Sequence, residues 1–413
     1  MKKYILFFII CLGQTLTSRA QPVIFDHYFT TERLRVDLVF TGNAHTQDVF
    51  LLSLHKETPW AGSRSELISP FSYGEYQYRV FSKQGDLIFS RGFSSLFMEW
   101  RTTREALERD KAFNMSVWMP YPKDTVILEV SERIKRDGSY RSMKQFKIDP
   151  ADCLITKEKA LCMPETLLVN GPVENHVDLL FVAEGYRLDE LEKFRRDAAR
   201  FSEYLFEYEP FRSRRDDFNI WILPLVSEDS GPDMPQIDLW TQTALGSTFN
   251  TFYTERYLTA PDYLLLANAV SGSAFDAIYV IVNTKKYGGG GIYNYYGLSM
   301  ADHQISKEVF VHEFGHSFAG LADEYYSSDV AYLDMYPLDV EPWEPNITTQ
   351  VNFSSKWQDM MGTEGVGLFE GAAYMSKGMY RPAKNCRMHT NNAPGFCPVC
   401  QRAIERTIDH YTK

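Results

Sequence analysis

Beyond its first twenty residues the chain has no run of 18 apolar residues, so nothing after the leader is long enough to cross a membrane as a helix. It lacks a basic excess too: 43 Lys and Arg stand against 54 Asp and Glu, a formal net charge of −11. A protein that neutralises nucleic-acid phosphates needs the reverse balance, which excludes nucleic acid as a partner. Cysteine is scarce, six in 413 residues, with none between residues 21 and 150. No internal repeat is present. What the chain does have is apolar and aromatic material, 44% and 15% of its residues, enough for sizeable cores. Its 413 residues lead us to expect two domains rather than one.

The first twenty residues read as a leader. Lys2 and Lys3 precede an apolar stretch from Tyr4 to Leu12, and Ser18-Arg19-Ala20 is a small-x-small cleavage site that puts the cut before Gln21. A lipid anchor on Cys11 is disfavoured, because Ile10 stands where a lipoprotein signal wants a small residue. The expected location is therefore outside the cytoplasm: secreted, periplasmic or at the cell surface. Export permits disulfides. Cys153 and Cys162 close a short loop and are expected to bridge, while Cys386, Cys397 and Cys400 form an odd set. CPVC at 397–400 is half a zinc ribbon or a redox pair by pattern. No second CxxC accompanies it, so a bridge from Cys386 to Cys397 or Cys400 is expected.

Residues 21 to 150 carry short β-branched or alternating runs: LRVDLVF (34–40), VFLLSLH (49–55), YQYRVFS (76–82), DLIFSRGF (86–93) and TVILEV (125–130). Turn residues separate them, which is the pattern of a β-sandwich, with WRTTREALERDK (100–111) as one helical interruption. From 151 to 413 the texture changes. HVDLLFVAEGY (176–186), FNIWILPLVS (218–227) and FDAIYVIVNT (275–284) read as buried strands. Helical spacing at Leu191, Phe194, Ala198 and Phe201 follows the first of them, which indicates an α/β domain. YGGGGIYNYYGLSM (287–300) reads as a glycine run leading into an exposed edge strand, Gly290, Gly291, Ile292, Tyr293, Asn294, Tyr295 and Tyr296.

The chemistry concentrates in VFVHEFGHSFAGLADEYY (309–326). With Ser306 as N-cap and Gly320 as stop, the stretch forms a helix that puts His312 and His316 one turn apart on one face. That separation suits two nitrogens on one zinc ion, and Glu313, turned aside, is placed to act as general base. A third protein ligand is required, with the fourth position left for water. The long metzincin motif, HExxHxxGxxH, supplies it after a glycine turn. Here Ala319 and Ala322 stand at the glycine and third-ligand places, with Gly320 and Asp323 one residue later. A turn displaced by one residue makes Asp323 the third ligand and Glu324 its competitor. Met388, in C-R-M-H-T, is the candidate for a methionine turn below the metal, and Tyr380 is a candidate partner for a developing oxyanion.

HEFGHSFAGLADEY, VDLLFVAEGY, PFRSRRDDFNIW and RPAKNCRMHT followed by FCPVC together resemble the IgA-peptidase family of bacterial zinc metallopeptidases. The resemblance implies an N-terminal β domain and a metzincin-like catalytic domain. It also implies one zinc on His312, His316 and Asp323, with Glu313 as base, Met388 in the methionine turn, and a substrate backbone along Gly290–Tyr296. The astacin-like branch has a tyrosine two residues after that methionine; here Thr390 takes its place. The expectation is a secreted zinc endopeptidase of mixed α+β and α/β multidomain fold, acting on protein or peptide. The alternatives are an exported binding protein with a structural zinc site, and a zinc amidase acting on cell-wall material.

Overall fold

The structure, a computed structural model, describes residues 23–157, 159–327 and 336–413. The expected leader, its cleavage point at Ala20-Gln21 and Cys11 lie outside the described residues.

The first part of the chain forms two four-stranded sheets. One runs in the order Lys111–Pro122, Phe29–Gly42, Gln47–Glu57, Thr156–Lys157, and the other Leu87–Phe93, Tyr76–Ser82, Val126–Arg133, Tyr140–Ile148. Tyr76–Ser82 shows the simplest cause: alternate residues Tyr76, Tyr78 and Val80 are buried while those between face outward. The two sheets meet through Phe40, whose ring lies 4.8 Å from that of Tyr76, and through Tyr78, whose hydroxyl donates to Trp118 O at 2.6 Å. The helix expected over 100–111 lies instead at Leu96–Arg101, with the Ser95 hydroxyl accepting from Met98 N. It stops because the Thr102 and Thr103 hydroxyls donate back to Glu99 O and Trp100 O, and the chain then enters the strand Lys111–Pro122. Nor do Cys153 and Cys162 bridge: strand Thr156–Lys157, drawn out beside Gln47–Glu57, separates two free thiols.

The second part is built on a six-stranded sheet, ordered Gly289–Ile292, Tyr296–Met300, Ala277–Val282, Val177–Glu184, Phe218–Leu223, Glu165–Leu168. Its four inner strands are parallel and its two edge strands antiparallel. Every residue of Val177–Glu184 is buried, as expected of a parallel strand covered on both faces. Helix Leu191–Phe206 buries Phe194, Ala198, Phe201 and Leu205. The histidine-bearing helix, Ser306–Ala319, packs through Phe310 against Tyr279 and Phe201, with ring centroids 4.7 and 5.0 Å apart. The chain is thus a mixed α/β protein with several sheets.

The two parts are joined by buried ions. Arg33, paired to Glu57 at 2.7 Å, donates to Ser273 O, Val270 O and Ser271 O, and Arg35 donates to Asn268. Arg33 bonds through Nε, Nη1 and Nη2 and Arg35 through Nη1 and Nη2, which fixes orientation more than it adds net stability.

The glycine run has a packing cause. The edge strand Gly289–Ile292 lies directly against the histidine helix, and a Cβ on Gly291 would stand 2.2 Å from Glu313 O. Gly291→Ala is expected to destabilise the protein by about 1–3 kcal/mol through overpacking, read from the urea midpoint.

A second prediction concerns pH. Asp178 and Asp276 face each other across adjacent strands, with Asp178 N donating to the Asp276 carboxylate at 3.0 Å. Burial pushes the Asp178 carboxyl up to about 7 and Asp276 well above its ordinary range. The folded protein therefore keeps protons that the unfolded chain releases above pH about 4, so this pair makes stability fall as pH rises from about 4 towards 7. Asp178→Asn keeps the acceptor for Trp221 and Asn219, and is expected to flatten that fall in urea midpoints taken across the window.

Candidate metal centre

The histidine helix ends where Gly320 adopts a left-handed conformation, φ +63°, which glycine reaches without steric cost. Gly320 N donates to His316 O and Leu321 N to Gly315 O, and the chain turns back beneath the helix. Ser306 is the first helical residue rather than the cap; its hydroxyl donates to His303 O.

Three atoms able to bind a metal converge where the returning chain passes the helix. His312 Nε2 and His316 Nε2 are 3.0 Å apart, and Asp323 Oδ1 lies 3.0 and 3.3 Å from them. Both Nδ1 atoms face backbone carbonyls, His312 towards Arg387 O at 3.1 Å and His316 towards Leu321 O. A proton on each Nδ1 is thereby used, and the Nε2 lone pairs turn inward. Asp323 Oδ1 is buried and no donor is aligned on it. Two imidazole lone pairs and an orphaned carboxylate oxygen, with edges near 3 Å, fit a small divalent cation bound at about 2.0–2.2 Å. The electrostatics are those of an anionic pocket, in which a proton on His316 Nε2 and a metal ion would compete for one place. Burial opposes charge on His316, yet Asp323 overrides it and lifts the imidazole to about 9; burial likewise opposes charge on Asp323, which the two histidines hold well below the usual carboxylate range. The cluster draws positive charge in.

Glu313 sits beside this triangle, one ligand-capable atom within 4.8 Å of the histidines. Its Oε1 packs over Gly289, 3.2 Å from where a Cβ would stand, so the glycine makes room for the carboxylate. Burial raises the Glu313 carboxyl above its ordinary range, with His312 and His316 pulling the other way.

Glu324 is turned away from the histidines. Its Oε1 accepts from Asn346 Nδ2 at 3.0 Å and from the Cys400 thiol at 3.2 Å. Met388 is fully buried, its sulfur against Gly315 between the two histidines on the helix, and its carbonyl accepts from Glu324 N at 2.8 Å. Tyr380 belongs to strand Met375–Arg381, its backbone paired with Thr348, and it is absent from the cleft lining. His389 faces Glu324 O through Nδ1. The edge strand is shorter than expected. It covers Gly289–Ile292, while Tyr293–Tyr295 form the turn and Tyr296 opens the next strand. Tyr295 and Tyr296 are buried against Tyr263 rather than offered to a ligand, because the turn folds them back over Ala260.

The cleft above the histidines is lined from both parts of the chain: Glu75, Ser94 and Glu99 from the first, Gly289–Tyr293 and Asp323 from the second. Two aromatic residues that the sequence did not single out complete it. Tyr325 stacks over His312, rings 19° apart, and the Tyr374 hydroxyl donates to Asp323 Oδ2. Tyr374 is placed there by a hairpin turn in which Ala373 and Tyr374 both have positive φ, 51° and 63°. Side chains rarely adopt such backbone, and the strain is held by Ala373 N on Asp323 O and Tyr374 N on Tyr325 O. AAYM carries no turn signature from which this could have been read.

Tyr374→Phe removes the hydroxyl that orients Asp323. Metal affinity measured by chelator competition is expected to fall by roughly 10–100-fold, the usual loss when a ligand's own partner is deleted.

No curated protein matches the chain. The family model for IgA Peptidase M64 matches residues 166–365 and 362–408, and that for the Peptidase M64 N-terminus matches residues 24–144. The first match runs through the histidine helix, Asp323 and the 386–400 segment, and the second through most of the two N-terminal sheets. The chain belongs to the IgA Peptidase M64 family, and by that membership is a metallopeptidase.

Proposed function

We propose that the protein is an exported zinc endopeptidase with a metzincin-like catalytic domain from about residue 151 and an N-terminal β-sandwich before it. The observation that carries this reading is the convergence of His312 Nε2, His316 Nε2 and Asp323 Oδ1 within 3.0–3.3 Å, with the Glu313 carboxylate beside them at the floor of a cleft. Asp323 rather than Glu324 is the third ligand in this reading. Zinc bound there supplies Lewis acidity, polarising the scissile carbonyl and lowering the pKa of water towards about 7.

The remaining work falls to the chain. Glu313 Oε1, packed against Gly289, takes a proton from the attacking water and passes it to the leaving amine. Its burial-raised affinity for a proton suits both halves of that transfer. Met388 supports the helix from below through Gly315. The substrate backbone lies extended beside Gly290–Ile292 by main-chain pairing, with Glu75, Ser94 and Glu99 of the N-terminal region forming the facing wall. That wall gives the N-terminal sheets a place in substrate contact as well as in packing. The family's name refers to IgA; the features of this cleft speak for an extended peptide.

The binding-protein alternative needs a fourth protein ligand at the histidines. Among the described residues the nearest candidates point elsewhere: Glu324 to Asn346 and Cys400, and His389 to a carbonyl. The amidase alternative is disfavoured by the edge strand, which suits a peptide.

The test is to measure zinc content and cleavage of a denatured-protein mixture for the mature chain and for Glu313→Ala. Retention of zinc with a loss of about 10²–10⁴ in rate is expected of a general base. Equal cleavage by both proteins, or cleavage unaffected by chelation, would sink the mechanism.

A further inference from the structure

We propose that Glu324, Cys386, Cys397 and Cys400 hold a second zinc ion, structural in kind and separate from the one at the histidine pair. The inference stands on a different set of side chains from the catalytic reading and does not depend on it.

The four residues each bring a ligand atom within 4.8 Å of the others, and all are buried, Glu324, Cys386 and Cys400 completely. The thiols are free, so the bridge expected from Cys386 is not formed. Cys386 Sγ and Cys400 Sγ stand 3.7 Å apart. Two thiolates on one tetrahedral zinc, each at about 2.3 Å, are separated by about 3.8 Å. Glu324 Oε1 lies 3.2 Å from Cys400 Sγ, on the same side. The independent observation is Glu324 Oε2, which belongs to a fully buried carboxyl and has no hydrogen-bond partner. A buried, unpartnered carboxylate oxygen is costly unless a cation or proton meets it.

The surroundings suit an anionic ligand set. Cys397 stands at the N-cap of the C-terminal helix Pro398–Thr412 and Cys400 in its first turn, both beside the positive end of the helix dipole. Cys397 N also donates to Cys386 Sγ at 3.3 Å, and Asn346 Nδ2 donates to Glu324 Oε1 at 3.0 Å. Three soft thiolates exclude magnesium and calcium, the carboxylate weighs against copper(I) and iron–sulfur clusters, and four protein ligands leave no position open for water. The site is closed, hence structural. Its place in the fold gives it a purpose: Glu324 follows Asp323, and Cys386 precedes Arg387, whose carbonyl orients His312. An ion here would pin both segments that shape the histidine site.

The test uses the full mature chain purified without reductant or chelator, together with the His312→Ala/His316→Ala variant and Cys400→Ser. Metal content and zinc X-ray absorption are measured on each. Two zinc ions per wild-type chain are expected, with a sulfur shell at about 2.3 Å. The histidine variant should keep one ion in a sulfur-dominated shell, and Cys400→Ser should lose that ion. If Cys400→Ser is insoluble, the histidine variant carries the test alone. One zinc per chain without sulfur scattering, and a disulfide among the three cysteines by peptide mapping, would overturn the second site and leave the catalytic reading intact. A sulfur shell alone, unchanged in the histidine variant, would uphold the second site and overturn the catalytic one.

Discussion

The crossing of residues 322–324 by residues 386–389, tied by one backbone hydrogen bond and by two imidazole–carbonyl contacts, is the constraint on which the rest of the site depends. Glu324 N donates to Met388 O, His389 Nδ1 faces Glu324 O, and Arg387 O receives His312 Nδ1. Once the left-handed turn at Gly320 sends the chain back beneath the helix, these contacts hold Glu324 beside Met388. In an extended segment neighbouring side chains point to opposite sides. Asp323 therefore faces the histidines while Glu324 faces the three cysteines. One peptide step separates two clusters of different chemistry, oxygen and imidazole on one side, thiol and carboxyl on the other.

The helix is held from above by an equally narrow fit. Gly289 and Gly291 let the edge strand approach so closely that Glu313 Oε1 and Glu313 O occupy the space of their missing side chains. The proposed base, the proposed ligands and the strand proposed to bind substrate are thus positioned by one contact surface. The N-terminal sheets are fastened to the same assembly by Arg33 and Arg35, and by Ser94 N on Tyr293 O and Trp343 Nε1 on Glu75. A wall built of two parts and tied at several points can form a cleft of defined width, which suits recognition of an extended chain.

Much of this was legible in the sequence. Mostly apolar runs marked the parallel strands at Val177–Glu184 and Ala277–Val282, because a strand covered on both faces is apolar except where a buried polar group such as Asp178 finds partners. The histidine helix was legible from the spacing of His312 and His316 and from Gly320, because a helix has one period and one common way to stop. The helix over 100–111 was misplaced, since two threonine hydroxyls ended it locally in a way that propensity does not register. Tyr374 escaped notice because its position depends on a strained turn and on Asp323, 51 residues away in the chain.

What the sequence determined by itself is the set of residues able to do the chemistry and the local geometry that presents two of them, because i and i+4 on a helix share a face whatever surrounds it. Which of two adjacent carboxylates meets the histidines, that the glycines are needed for contact rather than flexibility, and that three cysteines stay as thiols around a carboxyl were decided by tertiary structure alone. Those outcomes turn on strand register and on segments brought together from distant parts of the chain, and neither leaves a periodic trace in the sequence.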